Sequence, residues 1–451
     1  DPIEVRITLD APLTSSASVT LHWEAAGEPL EPVAVPMEAS ARGPAATEVR
    51  AVIPPQPSQT LVRSHLEVAL AGGGTLFLPH PVEPRAFLSC FVHDLEVESV
   101  LPILWLFPKR RTGLPGLDSR TISAGVILEP GSRSPLVFDG ADLRSSTQGL
   151  KLRFVKGEEY RGDRTINIIP EQGGGGTGSM APHMEHLGFT VFRDLGALVP
   201  RVDWFRVVDM GTAVRLQTQR LIIQQVNERF LEMNGLDENG DLYKLDKSVF
   251  QKKTNLHTGI GNLNDLLAAL SRGTPESRRA AVLDRLDIES VGLYSTVNIL
   301  IENWDGFHNN FYVYHDLTPE GRWMIIPWDL DQVFEPVRFD FPVNFPLTGQ
   351  STTVSRETGP IARPYHLQPD LHEAYREAMR ARIAPGGPFT TEAVNARIDA
   401  IEVLLLEDLA LLEAGTRSVR AVRRLQVKNA HAAMKTYMEK RIPFLRAALG
   451  N

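Results

Sequence analysis

Asn303-Trp304-Asp305-Gly306-Phe307-His308-Asn309-Asn310-Phe311-Tyr312-Val313-Tyr314-His315-Asp316, continued by Gly321-Arg322-Trp323-Met324-Ile325-Ile326-Pro327-Trp328-Asp329-Leu330-Asp331, is the stretch that decides how this chain reads. Asn310 follows Asp305 at a spacing of five. Residues 311–314 are an aromatic-rich strand, 317–321 a turn and 323–326 a second strand, so the spacing predicts a hairpin. Asp329 stands 24 residues beyond Asp305, just past that hairpin. Asp305-Gly306 taken alone is a common turn pair. Two carboxylates and an amide flanking one hairpin also form a set of hard oxygen ligands of the kind that Mg²⁺ accepts.

Working outward, the 451 residues exceed one ordinary core and predict two or three domains. The 43% hydrophobic and 23% charged content is that of a soluble globular protein, and no apolar run reaches the roughly 18 residues of a membrane span. A net charge of −8 argues against a dedicated nucleic-acid binder, which needs a basic surface. The one cysteine, Cys90, lies in an apolar context and reads as core, excluding an intrachain disulfide and a cysteine zinc site. The first residue is Asp rather than Met, so a processed N-terminus is expected.

Short alternating strands separated by Pro, Gly, Ser and Ala fill the first 86 residues and predict an Ig-like β-sandwich accessory domain. Residues 87–232 stay strand-rich, with one helix over about 182–195. Residues 233–451 turn helical, with amphipathic segments at 262–272, 275–286, 288–304, 368–383, 390–413 and 417–448. The fold class is therefore α+β: a sandwich, a strand-rich lobe, then a helical lobe that carries the hairpin. Gly173-Gly174-Gly175-Gly176-Thr177-Gly178 reads as a flexible loop, and the Arg417 to Lys428 basic run as a solvated helix face. His183, Glu185 and His186 have neither the order nor the spacing of a His-Glu-x-x-His zinc site.

Protein kinases order their active site in the same way as the opening stretch: an Asp that faces the attacking hydroxyl, an Asn five residues on, a strand pair and a metal-binding Asp. Here Asn303-Trp304 replaces the His-Arg that precedes the first Asp, and no Phe-Gly follows Asp329. Asp-Gly-x-x-Asn-Asn-Phe-Tyr-x-Tyr with Gly-x-Trp-x-x-x-Pro-Trp-Asp-Leu-Asp closely resembles the spore-coat protein H (CotH) family of atypical secreted kinases. Gly240-Asp241-Leu242-Tyr243-Lys244, the segment around Phe192-Arg193-Asp194-Leu195-Gly196 and Pro443-Phe444-Leu445 extend the resemblance over about residues 90–449.

The resemblance implies a two-lobed kinase-like domain that transfers the ATP γ-phosphoryl group to Ser or Thr hydroxyls of a protein substrate. Asp305 would be the catalytic Asp, Asn310 and Asp329 would hold Mg²⁺ or Mn²⁺, and Trp323 would stack on adenine. Lys151, on an alternating segment, is the candidate phosphate-binding lysine, with Glu185 on the next helix as its partner. Asp331 is a reserve ligand or a cap. A secreted or cell-envelope location follows from the same resemblance. Two departures keep an inactive, pseudokinase-like binding or structural module open. Arg144-Ser145-Ser146 lacks the Gly of the family's Arg-Gly-Asn-Ser-Ser, and Asp209-Met210-Gly211-Thr212, followed by Arg220 and Gln224, lacks the Tyr and Glu of its Asn-Gly-x-x-x-Gly-x-Tyr segment.

Overall fold

Alternation with a period of two sorts the first strands into two sheets with a shared core. The structure, a computed structural model, describes residues 1–450 apart from 10–17, 27–31, 42–46, 71, 95–97, 118–119, 147–148, 174–176, 213–214, 247–248, 304, 349–358 and 413–416. One sheet pairs β1 (Ile3–Leu9), β5 (Thr47–Ile53) and β4 (Glu38–Ala41). The other centres on β2 (Ser18–Ala25) and β6 (Thr60–Ala69), with β3 (Val33–Pro36), β7 (Thr75–Leu78) and β8 (Leu88–Val92) at its edges. Val49, Ala51 and Ile53 from the first meet Leu21, Trp23, Val62 and Leu66 from the second, which is the packing of a β-sandwich.

Eight further strands form a mixed sheet in the order β11 (Leu136–Asp139), β10 (Thr121–Leu128), β9 (Ile103–Arg111), β15 (Val202–Asp209), β16 (Gln217–Gln224), β14 (Thr165–Ile168), β13 (Gly149–Arg153) and β12 (Asp142–Ser146). By compactness the chain divides into two units: residues 1–168 with 204–220, and 169–203 with 221–451. These boundaries fall elsewhere than the 1–86, 87–232 and 233–451 read from composition. The reason at the first boundary is physical. Strand β8 pairs with β6 across residue 86. Arg63 on β6 donates to both oxygens of Asp139 at 2.8–3.0 Å, and Ser89 adds a third donor at 2.7 Å. Leu61 and Phe91 of the sandwich share a core with Trp105 and Val126 of the larger sheet.

The second unit holds a four-stranded sheet in the order β18 (Val249–Lys252), β17 (Asp241–Asp246), β19 (Phe311–His315) and β20 (Trp323–Pro327). The last two strands are the hairpin that the sequence predicts. The described helices of this unit are α1 (Ala181–Asp194), α2 (Glu228–Met233), α3 (Gly261–Ser271), α4 (Pro275–Arg285), α5 (Ile288–Ile301), α6 (Phe345–Thr348), α7 (Ala362–His366), α8 (Pro369–Ile383), α9 (Thr391–Ala410) and α10 (Arg417–Leu449). Helix α5 starts at Asp287, whose side chain accepts the Ser290 N–H, and residues 294–301 are buried without a break, so it is a core helix. The chain is α+β, strand-rich first and helical after, as its sequence predicts. Among the described residues no helix is long and apolar enough to cross a membrane.

Candidate active site

Helix α5 stops because Glu302 adopts a left-handed conformation, φ +62°, and Asn303 then returns its N–H to the Asn298 carbonyl at 2.7 Å. The next residues are tied down from below. Asn303 Nδ2 donates to Asn298 Oδ1 at 2.9 Å, Asn303 Oδ1 accepts the Gly306 N–H at 3.2 Å, and the Tyr294 hydroxyl donates to the Gly306 carbonyl. A Cβ on Gly306 would stand 2.4 Å from Asn303 Nδ2, so this position excludes any side chain. The 3-10 turn Asp305–Phe307 thus sits on a rigid polar base, with the Asp305 side chain mostly covered.

Asn310 and Asp329 share an unusual backbone: both have φ +58°. Asn and Asp are the side-chain-bearing residues that most readily occupy this region, and such strain concentrates at functional sites. Asn310 donates its N–H to the Leu245 carbonyl at 3.1 Å and accepts the Trp328 N–H at 3.2 Å, which locks it between β17 and the end of β20. Its side-chain Nδ2 donates to Asp305 Oδ2 at 2.7 Å. The amide oxygen, the group that can ligate a cation, is the end not spent on Asp305.

Two more acids join them. Glu185 on α1 is 4% exposed. Burial, then Asp329 and Asp331, push its carboxyl well above the usual range, while the Leu330 N–H offsets a part. Burial, then Asp329 and Asp305, push Asp331 up to about 7. Burial comes first in both shifts and carboxylate repulsion second, and a divalent cation beside these acids would offset that repulsion. Among the described residues no three His, Cys, Asp or Glu converge closely enough to make a complete metal cage. At a nucleotide site one or two carboxylates share Mg²⁺ with substrate phosphates. Asn310 and Asp329 would hold it, with Asp331 and Glu185 behind them.

The structure therefore brings Asp305, Asn310 and Asp329 into one cluster. It also brings Glu185 there, where the neighbouring charges that raise it are acids. Lys151 belongs to the other unit, on β13 opposite Arg144 and Asn167. Trp323 lies at the end of β20 far from Asp329 and is 3% exposed. Its ring is parallel to His315 at 4.5 Å and 1°, with Tyr243 at 5.9 Å. Strand register puts these three on one face of the sheet, and Lys244 and Tyr312 on the other. Adenine on the face of Trp323 that His315 covers would have to displace His315.

Two residues carry more than their sequence signal did. Lys244, quoted only as part of a motif, places its ammonium 5.7 Å from the Trp328 ring, beside Asp329 in sequence. Its period-two position opposite Tyr312, whose phenol is raised by burial and then by Asp329, was the usable signal. His308 lies 3.0 Å from Asp305. Trp304 lies outside the described residues.

Among solved structures the chain is similar to the Helicobacter pylori proinflammatory kinase CtkA, at 11% identity over 68% of this chain and 93% of that one, with a TM-score of 0.32. It is also similar to the uncharacterized protein lmo2446 of Listeria monocytogenes EGD-e, at 10% identity and a TM-score of 0.17, and to the cycloalternan-forming enzyme from Listeria monocytogenes, at 11% and 0.17. In both the match covers 38% of this chain and only 16% of the other. At these scores the likenesses carry no argument. No curated protein matches the sequence. The family model for CotH kinase protein matches residues 185–445, more than half of the chain and all of the clustered acids, so this chain belongs to the CotH kinase family.

Proposed function

We propose that the chain is an atypical protein kinase that transfers the ATP γ-phosphoryl group to Ser or Thr hydroxyls of a protein. The observation that carries this reading is the Asp305 carboxylate, fixed by Asn310 at 2.7 Å beside acids that crowd one another, inside the segment matched by the kinase family. Bound Mg²⁺ or Mn²⁺ supplies positive charge against the charge on the phosphates during transfer. Asp305 accepts the hydrogen bond of the acceptor hydroxyl and so directs its lone pair at the phosphorus. Asn310 and Asp329 hold the cation. Lys244, on the Tyr312 face of the sheet, is the cation that we assign to the phosphates, in place of Lys151. A secreted or cell-envelope location belongs to the same proposal.

The test is transfer from labelled ATP, with Mg²⁺ or Mn²⁺, to the chain itself and to a generic protein acceptor, followed by phosphoamino-acid analysis. Label on Ser or Thr that disappears in Asp305→Asn supports the reading; equal label in that variant sinks it. A second reading, a binding module without turnover, is favoured by one observation: His315 lies on the Trp323 ring, where the resemblance puts adenine. It predicts no transfer and no stabilisation by ATP.

A further inference from the structure

Each oxygen of the Asp305 carboxylate has a nitrogen against it. Oδ2 takes the Asn310 amide at 2.7 Å, and Oδ1 meets His308 Nε2 at 3.0 Å. The two partners are held independently. Asn310 is fixed by β17 and the end of β20, whereas His308 comes from the turn itself, its backbone N–H donating to the Asp305 carbonyl at 3.3 Å. Both side chains are mostly covered but still reach solvent, at 19% exposure for His308 and 16% for Asp305.

We propose that His308 is a positioning residue for phosphoryl transfer: its Nε2–H fixes the plane of the Asp305 carboxylate, leaving the second lone pair of Oδ1 for the acceptor hydroxyl. The inference rests on the kinase reading above. The terminal torsion of Asp is broad, so one hydrogen bond leaves the carboxylate free to swing. Donors on both oxygens remove that freedom. A carboxylate only accepts, so the ring nitrogen facing it carries the proton, which selects the Nε2–H tautomer. Misplacing a reacting group by 1 Å costs about 100-fold in rate, so the clamp acts on turnover rather than on nucleotide affinity.

The experiment compares the full chain with His308→Leu, which keeps bulk and loses the donor, and His308→Gln, which returns an N–H near the Nε2 position. With ATP and Mn²⁺, Leu is expected to lower kcat about 10- to 100-fold with the ATP KM within about twofold, and Gln to restore most of the loss. Parent-like kcat in His308→Leu overturns the proposal, as does an equal fall in both variants. A second measurement needs no turnover. Ring ¹⁵N shifts of His308 in the nucleotide-free chain are expected to show the Nε2–H tautomer, and Asp305→Ala to release it. The same spectrum in both chains overturns the clamp. A parent that transfers no phosphate refutes the kinase reading instead, and leaves the clamp to the ring spectrum.

Discussion

The two ends of the four-stranded sheet in the second unit treat buried carboxylates in opposite ways. At one end Asp241 is fully buried and saturated with donors. Lys252 Nζ at 2.8 Å and Asn255 Nδ2 at 2.9 Å reach Oδ1, and Asn262 Nδ2 at 2.9 Å and the Tyr243 hydroxyl at 3.3 Å reach Oδ2. Burial alone would raise this carboxyl, but hydrogen bonds from Lys252, Asn262 and Asn255 outweigh it and hold the group below the usual range. At the other end, burial and mutual repulsion raise Glu185 and Asp331. Both ends carry motif residues of the family. The saturated end has nothing left to offer a ligand, so its acid is a joint between β17, β18 and α3. The crowded end holds acids that raise one another, and we propose that they form a cation site.

Substitutions at each end sharpen this contrast. The largest effect is expected at the crowded end in activity alone: Asp305→Asn or Asp329→Ala lowers transfer by about 10²- to 10⁴-fold, with an unchanged or higher melting temperature. Asp241→Leu is the mirror case. It leaves the buried Lys252 ammonium unpaired and costs about 3–5 kcal/mol in urea unfolding, with any surviving folded protein retaining its KM for ATP. Lys244→Ala comes next. Loss of a charged hydrogen bond of about 1.5–3 kcal/mol raises the ATP KM roughly 10- to 100-fold, whereas Lys151→Ala leaves it unchanged. If Lys151→Ala alone raises it, the phosphate lysine belongs to the first unit.

The smallest expected effect is in pH. Asp331 has a folded value of about 7, raised from an ordinary 3.8. The folded state therefore holds the extra proton in this window, so its stability is fully present below about pH 4 and is lost as pH rises through about 7. At the saturated end the sign reverses: Asp241 is lowered, so its contribution is present above its unfolded value and is lost as pH falls. In metal-free protein, Asp331→Asn flattens the upper slope, and Mn²⁺ at millimolar concentration flattens it in the parent. Melting temperatures between pH 5 and pH 9 check both; an unchanged slope in Asp331→Asn would assign it to another group.

Much of the fold is written in local patterns. The hairpin, the helix that leads into Asp305, and the helices at 275–285 and 369–383 follow from periodicity, Pro at helix starts and turn residues. The Asp305–Asn310 pair was legible because both ends lie within one turn and a strand start. Strand β15 ends at Asp209, whose carboxylate caps a turn by accepting the Gly211 N–H at 2.8 Å. Two other features depend on long-range placement that no local pattern encodes. They are Glu185 meeting Asp329 across the fold and the Arg63–Asp139 pair that ties the sandwich to the next sheet.

We propose that the crowded end of the sheet binds a divalent cation and that the saturated end does not. Electron paramagnetic resonance of Mn²⁺ titrated into the chain with ATP tests it most directly, alongside Asp329→Ala and Asp241→Asn. The account predicts bound Mn²⁺ in the parent and in folded Asp241→Asn, and free Mn²⁺–ATP only in Asp329→Ala. Equal binding by the parent and Asp329→Ala, or none by the parent, would contradict it.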